Sequence, residues 1–245
     1  MPQLTLATTE PGEAEIFASI QGEGPSMGKP VAFVRLSRCN LACTWCDTAY
    51  TWHFDGDNRP HRDDITFNRK ANQVTLNIAD VAERISTLGM DRLVVTGGEP
   101  LLQAPALGEL LETLDLMMVE IETNGTTPVP PRLDIRIDQF NVSPKLAHSG
   151  NPADLALVDE QLSFYANDKR AFFKFVIAEP GDLDEVLALQ RHYNIPKERI
   201  YLMPEGTDSV TLHLRGEWLV PLALEHGFSF SDRQHIHLFG DTRGT

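Results

Sequence analysis

Three cysteines, Cys39, Cys43 and Cys46, lie within eight residues, and the chain has no other cysteine. A disulfide between any two of them would close too short a loop to stabilise the fold appreciably. Three thiolates on one tight loop can instead bind three irons of a [4Fe–4S] cluster, which leaves the fourth iron open to a substrate or cofactor. The C-x3-C-x2-C spacing therefore indicates iron–sulfur chemistry.

Structural zinc is the alternative interpretation of the cysteine loop. Zinc requires a closed tetrahedral set of ligands, and His53 is the only nearby residue that offers a fourth. Zinc sites usually draw on a second, distant pair of ligands, which this sequence lacks.

The elements that position this loop alternate between strands and helices. Residues 31–36 form a short apolar, β-branched run that ends at the cysteine loop, and residues 93–96 form another that ends in Gly97-Gly98-Glu99-Pro100. Further strands are predicted at 14–17, 118–122, 139–142, 172–177 and 200–203, helices at 78–88, 106–114, 183–190 and 210–226 with a kink at Pro221, and an extended segment at 235–239. Alternation of this kind predicts an α/β fold with a parallel sheet, in which the chemistry gathers at the carboxyl ends of the strands.

The 245 residues show no linker, which predicts a single domain spanning 1–245. A polar stretch at about 53–73 interrupts it, and we expect an exposed, weakly ordered insertion there.

Composition excludes several classes of protein. Hydrophobic residues make up 42% and charged residues 23%, which is typical of a globular chain rather than a disordered one. The net charge of −14 argues against direct nucleic-acid binding through a broad basic face. No stretch is long and apolar enough to span a membrane, and the N-terminus lacks the pattern of a signal peptide, so we expect a cytoplasmic protein.

Two motifs together resemble the radical S-adenosylmethionine (SAM) superfamily: the cysteine loop after a strand, and the glycine-rich turn Thr96–Pro100 after the next strand. Five further motifs occur in order and narrow the resemblance to the 7-carboxy-7-deazaguanine synthase family, from about Glu15 to Thr245. They are Ile20-Gln21-Gly22-Glu23-Gly24, Phe33-Val34-Arg35-Leu36, Cys46-Asp47-Thr48, Glu122-Thr123-Asn124-Gly125 and Ser143-Pro144-Lys145.

This resemblance implies a partial (β/α)6 TIM-like barrel and a radical reaction. Members of the family use SAM to contract 6-carboxy-5,6,7,8-tetrahydropterin to 7-carboxy-7-deazaguanine with loss of ammonia, in the biosynthesis of queuosine and other 7-deazapurines. The implied cofactors are a [4Fe–4S] cluster, SAM and Mg²⁺, and an electron donor such as flavodoxin or ferredoxin must reduce the cluster. Family members are typically homodimers.

The resemblance also assigns site residues. Cys39, Cys43 and Cys46 would hold the cluster, and the Thr48 hydroxyl would meet Mg²⁺. The SAM site would be lined by Trp45, Asp47, Gly98, Glu99, Glu122, Asn124, Ser143, Pro144, Lys145, Met203, Pro204, Glu205 and Gly206. The substrate would be contacted by Ile20, Gln21, Gly22, Glu23, Arg35, Thr96 and Thr245. His235 and His237 receive no role.

Independently of the resemblance, Arg35 is unusual because it is a charged residue within a predicted apolar strand. A buried charge is costly unless it is paired, so Arg35 belongs either to a buried salt bridge or to an anion site. Its planar guanidinium matches the geometry of a carboxylate.

Two other functions share parts of this pattern. A glycyl-radical activase would use the same cysteine and glycine loops on a protein partner, but the Gln21–Gly24 segment and Arg35 favour a small polar heterocycle. A non-catalytic iron–sulfur or zinc module would use the cysteines alone, and bound SAM would exclude it.

Overall fold

A computed structural model describes residues 2–114 and 118–245. The strands are β1 (Gln3–Glu10), β2 (Glu13–Ala14), β3 (Ile16–Ile20), β4 (Pro30–Leu36), β5 (Gln73–Asn77), β6 (Arg92–Gly97), β7 (Met118–Thr123), β8 (Gln139–Val142), β9 (Ala171–Ile177), β10 (Ile200–Pro204) and β11 (Ser229–Phe230). The helices are α1 (Arg69–Asn72), α2 (Ile78–Thr87), α3 (Ala104–Thr113), α4 (Pro131–Asp134), α5 (Ala153–Ala156), α6 (Asp159–Asn167), α7 (Asp182–Tyr193), α8 (Ser209–His226) and α9 (Gln234–Phe239).

Six parallel strands form the centre of the sheet in the order β10-β9-β8-β7-β6-β4, and β11 adds a short parallel strand beside β10. The α/β prediction is therefore confirmed, and each of the six predicted parallel strands is present. The sheet is an open path rather than a closed ring, as expected of a partial barrel.

Antiparallel strands extend the sheet beyond β4, and of these the sequence analysis anticipated only the neighbourhood of β2 and β3. β3 and β1 both pair with β4, and β5 pairs with β1. Because β3 runs antiparallel to β4, with Ile20 opposite Pro30, the segment that follows β3 begins at the amino-terminal edge of the parallel strands.

Successive side chains of a strand point to opposite faces of the sheet. In β7, Val119 and Ile121 join the main core, whereas Glu120 and Glu122 make polar contacts on the other side. In β9, Phe173 and Phe175 are fully buried in the core, and Lys174 points the other way. Full burial of one such aromatic side chain contributes roughly 1.5–3 kcal/mol. The apolar face thus stabilises the sheet, and the polar face supplies the site.

Helices cover the apolar face. Ile78, Val81 and Ile85 of α2 are buried at helical spacing, and the chain turns away at Gly89, whose φ is +65°. Leu107, Leu110 and Leu111 of α3 are fully buried in the same core. α8 continues through Pro221 as one helix. No helix within 2–114 or 118–245 has the length and apolar character needed to cross a membrane.

The prediction of an extended segment at 235–239 is wrong, because these residues lie in α9. The alternation of histidines with Ile236 and Leu238 resembled a strand. Only Ile236 is buried, however, while Leu238 and Phe239 are exposed, so the alternation does not mark two faces. The amide of Gln234 donates to the carbonyl of Gly22 at 2.9 Å, which fixes the start of the helix.

Most of the segment at 53–73 is exposed, as expected, but its two ends are not. Its first residues, His53 and Phe54, are buried, and it ends in α1 and the beginning of β5. The His61 ring nitrogen Nε2 lies 2.8 Å from the carbonyl oxygen of Cys46, and the amide of Arg62 donates to the carbonyl of Thr44 at 2.8 Å. The segment therefore packs against the cysteine loop, which the sequence analysis did not anticipate.

Candidate active site

The cysteine loop leaves β4 through a strained residue. Arg38 has φ +80°, in the left-handed region that side chains with a Cβ rarely adopt, and its amide donates to the carbonyl of Thr51 at 2.7 Å. Such a conformation costs on the order of 1–3 kcal/mol and persists where surrounding contacts enforce it. The turn directs Cys39 across the carboxyl ends of the parallel strands.

All three thiols are free, line one cavity and receive a hydrogen-bond donor at the sulfur. Asn124 Nδ2 lies 3.9 Å from Cys39 Sγ, Asn151 Nδ2 lies 3.3 Å from Cys43 Sγ, and Trp52 Nε1 lies 3.3 Å from Cys46 Sγ. Burial raises the pKa of Cys39 to about 12 and that of Cys46 to about 11, and it also raises the pKa of Cys43. Three thiolates here need a strongly positive group, and the irons of a cluster satisfy that need.

Structural zinc fits this arrangement poorly. His53, the fourth ligand that zinc would need, does not line the cavity, and its Nδ1 lies 2.8 Å from the carbonyl oxygen of Ile65. Within 2–114 and 118–245, no three histidine, cysteine or carboxylate groups gather closely enough to hold a single ion.

The glycine-rich turn after β6 packs directly on the cysteine loop. The amide of Gly98 donates to the carbonyl of Leu36 at 3.1 Å, and a Cβ on Gly98 would lie 2.2 Å from the carbonyl oxygen of Arg38. Only glycine fits this approach, because the obstacle is backbone that cannot rotate away. The two motifs of the sequence analysis therefore form one unit.

Glu99, the acidic residue of that turn, is fully buried and does not line the cavity. Its carboxylate accepts from the Leu101 amide at 3.0 Å, the Asn124 amide at 2.8 Å and the Thr123 hydroxyl at 3.0 Å. Burial raises the pKa of Glu99 to about 7 even though these donors favour the charged form. The side chain joins the end of β6 to the end of β7.

One cavity of about 230 Å³ opens at the carboxyl ends of the parallel strands. Nearly all residues predicted for the site line it: Ile20, Gln21, Gly22, Glu23, Arg35, Cys39, Cys43, Trp45, Cys46, Asp47, Thr48, Thr96, Gly98, Glu122, Asn124, Ser143, Lys145, Met203, Pro204, Glu205, Gly206 and Thr245. Glu99 and Pro144 are the predicted residues that do not.

A buried charge cluster forms where the segment after β3 meets β9. Glu23 pairs with Lys174, and Arg233 Nε donates to Glu23 Oε1 at 2.9 Å. Arg233 also pairs with Asp47 beside the cysteine loop. Burial alone would raise the pKa of Glu23, but Lys174 and Arg233 outweigh it and hold that pKa well below its ordinary value. Glu23 is therefore an anion at neutral pH.

Arg35 forms the salt bridge that was one of its two predicted roles, and it also lines the cavity. Its Nε donates to Glu15 Oε1 at 2.8 Å, and the Tyr50 hydroxyl donates to Glu15 Oε2 at 2.9 Å. Among the described residues, none accepts from the two terminal guanidinium nitrogens of Arg35, whose side chain is 18% exposed and lines the cavity. The salt bridge orients the guanidinium, and its outer edge faces the cavity.

Glu122 at the end of β7 joins two other predicted residues. Gln21 Nε2 donates to Glu122 Oε1 at 3.2 Å, and the Thr96 hydroxyl donates to Glu122 Oε2 at 2.7 Å. Glu122 therefore contacts residues predicted to bind the substrate, although the resemblance placed it beside SAM.

Another part of the cavity wall is aromatic and basic, because Trp45 and Lys145 line it. Trp45 stacks on His148 with ring centroids 5.5 Å apart, and the Lys145 ammonium lies 5.7 Å from the Trp45 ring centroid. Lys145 also donates to the Ser143 hydroxyl at 2.8 Å. The Trp45 Nε1 is buried with no hydrogen-bond partner in the described part of the chain.

Comparison with known proteins agrees with this geometry. Residues 34–144 match the radical SAM superfamily. A 7-carboxy-7-deazaguanine synthase from Pyrobaculum aerophilum is 37% identical over 94% of this chain and 95% of the relative. One from Hyperthermus butylicus is 34% identical over 91% of this chain and 90% of the relative.

The chain belongs to the 7-carboxy-7-deazaguanine synthase family.

Solved structures agree with this assignment to the family. The crystal structure of QueE from Escherichia coli matches with a TM-score of 0.65 and 25% identity over 94% of this chain and 95% of that chain. Streptococcus suis SuiB shares the fold alone, with a TM-score of 0.52 and 13% identity over 82% of this chain and 48% of that chain. Membership of this radical SAM family implies a [4Fe–4S] cluster and SAM as cofactors.

Several residues of this family member's cavity were missed from sequence. Lys174 interrupts an apolar strand in the same way as Arg35, so a charge within a buried strand was an available signal. Arg233 gave no such signal. It lies just before residues 235–239, for which the sequence wrongly predicted an extended segment. His235 also lines the cavity, 3.9 Å from Glu23, and burial lowers its pKa.

Proposed function

We propose that this protein contracts 6-carboxy-5,6,7,8-tetrahydropterin to 7-carboxy-7-deazaguanine with loss of ammonia, by radical SAM chemistry in 7-deazapurine biosynthesis. One observation carries the proposal: a single cavity is lined both by the three thiols and by a buried polar set suited to a carboxylated heterocycle. Bound together, the cluster and SAM supply one-electron cleavage chemistry and the means to take a hydrogen atom from the pterin.

The polar set matches the chemistry of the pterin. The Gln21 amide both donates and accepts hydrogen bonds, and the ionised Glu23 accepts from an exocyclic amine or a ring N–H. The free edge of the Arg35 guanidinium suits the substrate carboxylate. Thr96, hydrogen-bonded to Glu122, lies between this set and the glycine turn. These side chains hold the substrate before reaction.

The cofactor side of the cavity follows from the remaining residues. Cys39, Cys43 and Cys46 hold the cluster, and the backbone at Gly98 receives the SAM ammonium. Lys145 and Ser143 meet the SAM carboxylate or ribose, while Trp45 and the turn at 203–206 cover its apolar surfaces. The indole N–H of Trp45 has no acceptor within the described residues and is available to a ligand here.

Thr48 is the proposed Mg²⁺ ligand. Its hydroxyl lies 3.7 Å from Cys46 Sγ, which is its sole hydrogen-bond partner among the described residues, and the residue lines the cavity. Magnesium binds oxygen ligands and commonly keeps several from water or substrate, so the Thr48 hydroxyl would supply one ligand of the set.

The proposal extends to partners. An electron donor such as flavodoxin or ferredoxin reduces the cluster, the working form is a homodimer, and the protein acts in the cytoplasm. No observation favours the activase alternative, since the cavity's buried polar set fits a small molecule.

Anaerobic reconstitution with iron and sulfide tests the cofactor assignment. We expect about four irons per chain, a broad visible band that fades on reduction, and cleavage of SAM under dithionite. Replacement of any one of Cys39, Cys43 or Cys46 by Ala should abolish that cleavage. Stoichiometric zinc without iron would refute the proposal.

A further inference from the structure

The indole of Trp52 donates its N–H to the sulfur of Cys46 at 3.3 Å. An indole nitrogen is a donor only, so the direction of this contact is unambiguous. Trp52 is 4% exposed and cannot turn freely, because Arg59 lies over its ring at 4.8 Å and His53 packs against it at a centroid distance of 4.9 Å. The donor is therefore held in place by the segment at 53–73.

A second fixed donor faces Cys43. Asn151 Nδ2 lies 3.3 Å from Cys43 Sγ, and Asn151 Oδ1 accepts from the Ala42 amide at 2.8 Å. The Ala42 N–H requires an oxygen, which determines the orientation of the side-chain amide and directs its NH₂ group at the sulfur. Neither Trp52 nor Asn151 has a role in the site as described so far.

We propose that Trp52 and Asn151 are positioning residues that raise the reduction potential of the bound cluster through hydrogen bonds to its thiolates. An added electron increases the negative charge on the sulfur ligands, so a donor to sulfur stabilises the reduced cluster more than the oxidised one. This inference rests on the proposed function, because it requires the cluster to be present.

The segment at 53–73 contributes to this effect by packing against Trp52 and the cysteine loop. It supplies Trp52 with its ring contacts, and His61 and Arg62 bind the backbone of the cysteine loop. Arg62 also pairs with Glu205 at the end of β10, at 2.5 Å. The segment thus packs on the cysteine loop beside Cys46 while holding the indole donor in place.

The test is a redox titration of the reconstituted protein, followed by the electron paramagnetic resonance signal of the reduced cluster. Trp52→Phe keeps an aromatic ring and removes the N–H together with the rest of the five-membered ring of the indole. We expect the ratio of reduced to oxidised cluster at a fixed potential to fall about tenfold, equivalent to about 59 mV for one electron. Trp218→Phe is the matched control: Trp218 lies on α8 against the main core, and this variant should titrate like the wild type.

Iron content separates the possible failures. If the wild type binds no iron, the proposed function fails. If Trp52→Phe binds iron at the wild-type level and titrates at the wild-type potential, the inference is overturned. If Trp52→Phe cannot retain iron, Asn151→Ala decides: a lower potential supports the inference, and an unchanged potential with full iron content overturns it.

Discussion

Arg35 Nε and Glu15 Oε1 lie 2.8 Å apart, and this buried ion pair sets the orientation of the guanidinium in the cavity. The Tyr50 hydroxyl holds the same carboxylate from another side, at 2.9 Å from Oε2. Because one edge of the guanidinium is engaged by Glu15, the other edge is presented to the cavity in a fixed direction. The salt bridge therefore anchors one edge of the Arg35 guanidinium and leaves the other edge available to an anion in the cavity.

Arg35→Ala should impair pterin turnover far more than SAM cleavage in the absence of pterin. Loss of a charge-assisted pair to substrate costs roughly 1.5–3 kcal/mol. The free energy of unfolding should also fall by about 3–5 kcal/mol, because Glu15 is left buried and uncompensated. Product and 5′-deoxyadenosine yields, with denaturant unfolding, measure both effects. The control is Arg84→Ala, which removes an exposed pair with Glu13. Equal loss of both activities would make Arg35 structural alone.

Lys174→Met should weaken binding of the pterin. Glu23 would keep Arg233 but lose its other cation, and the position of its carboxylate would relax. We expect the KM for the pterin to rise about tenfold or more, as for loss of a charged hydrogen bond of roughly 1.5 kcal/mol. Lys169→Met, at an exposed position just before β9, is the matched control. An unchanged KM in Lys174→Met would remove the charge cluster from substrate binding.

Glu99 should make the stability of the cluster-free chain depend on pH. Its folded pKa of about 7 lies above the ordinary value of 4.5, so the folded chain binds the extra proton. The contribution of Glu99 to stability is then fully present below pH 4.5 and declines as the pH rises through 7, by roughly 3 kcal/mol at most. Denaturant unfolding of wild type and Glu99→Gln at several pH values measures the difference.

Glu109→Gln, at an exposed position of α3, provides the comparison for that experiment. If the stability difference between wild type and Glu99→Gln stays constant from pH 5 to pH 8, Glu99 does not titrate in this range.

Thr48 should link turnover to magnesium. Chelation with EDTA should slow product formation by the wild type, and added Mg²⁺ should restore it, because the proposed ion would fix SAM and substrate relative to each other. Thr48→Ala should lose most of this response, whereas Thr48→Ser should keep it because the hydroxyl remains. Full turnover without divalent ions, or an intact response in Thr48→Ala, would leave Thr48 as a loop residue only.

Much of this fold could be predicted from the sequence because its six central strands are short segments rich in apolar residues that end in polar or glycine-rich turns, even where a charge such as Arg35 or Lys174 interrupts them. The antiparallel strands β1 and β5 were missed because they pair with each other at a distance of about 70 residues along the chain. Leu4 and Leu6 alternate with Thr5, but local pattern gives no guidance to so distant a partner. α9 was missed because a run of only six residues with two alternating histidines fits the helical period and the strand period equally well.

The site was predictable where a motif holds its residues together, as in the cysteine loop and the glycine turn. It was not predictable where distant chain segments meet. Arg233 contacts Glu23 across 210 residues, and Asn151 contacts Cys43 across 108. Glu99 shows the converse. The motif led us to expect it beside SAM, but its carboxylate accepts hydrogen bonds from backbone amides and from the Thr123 hydroxyl.

The most direct test of the central claim is the mass of the product formed from the carboxy-pterin. The reconstituted protein is incubated anaerobically with SAM, dithionite and 6-carboxy-5,6,7,8-tetrahydropterin, with Cys43→Ala in parallel. We predict a product lighter than the pterin by one ammonia, identical to 7-carboxy-7-deazaguanine, from the wild type and none from Cys43→Ala. Cleavage of SAM by the iron-loaded wild type without any such product would contradict the account.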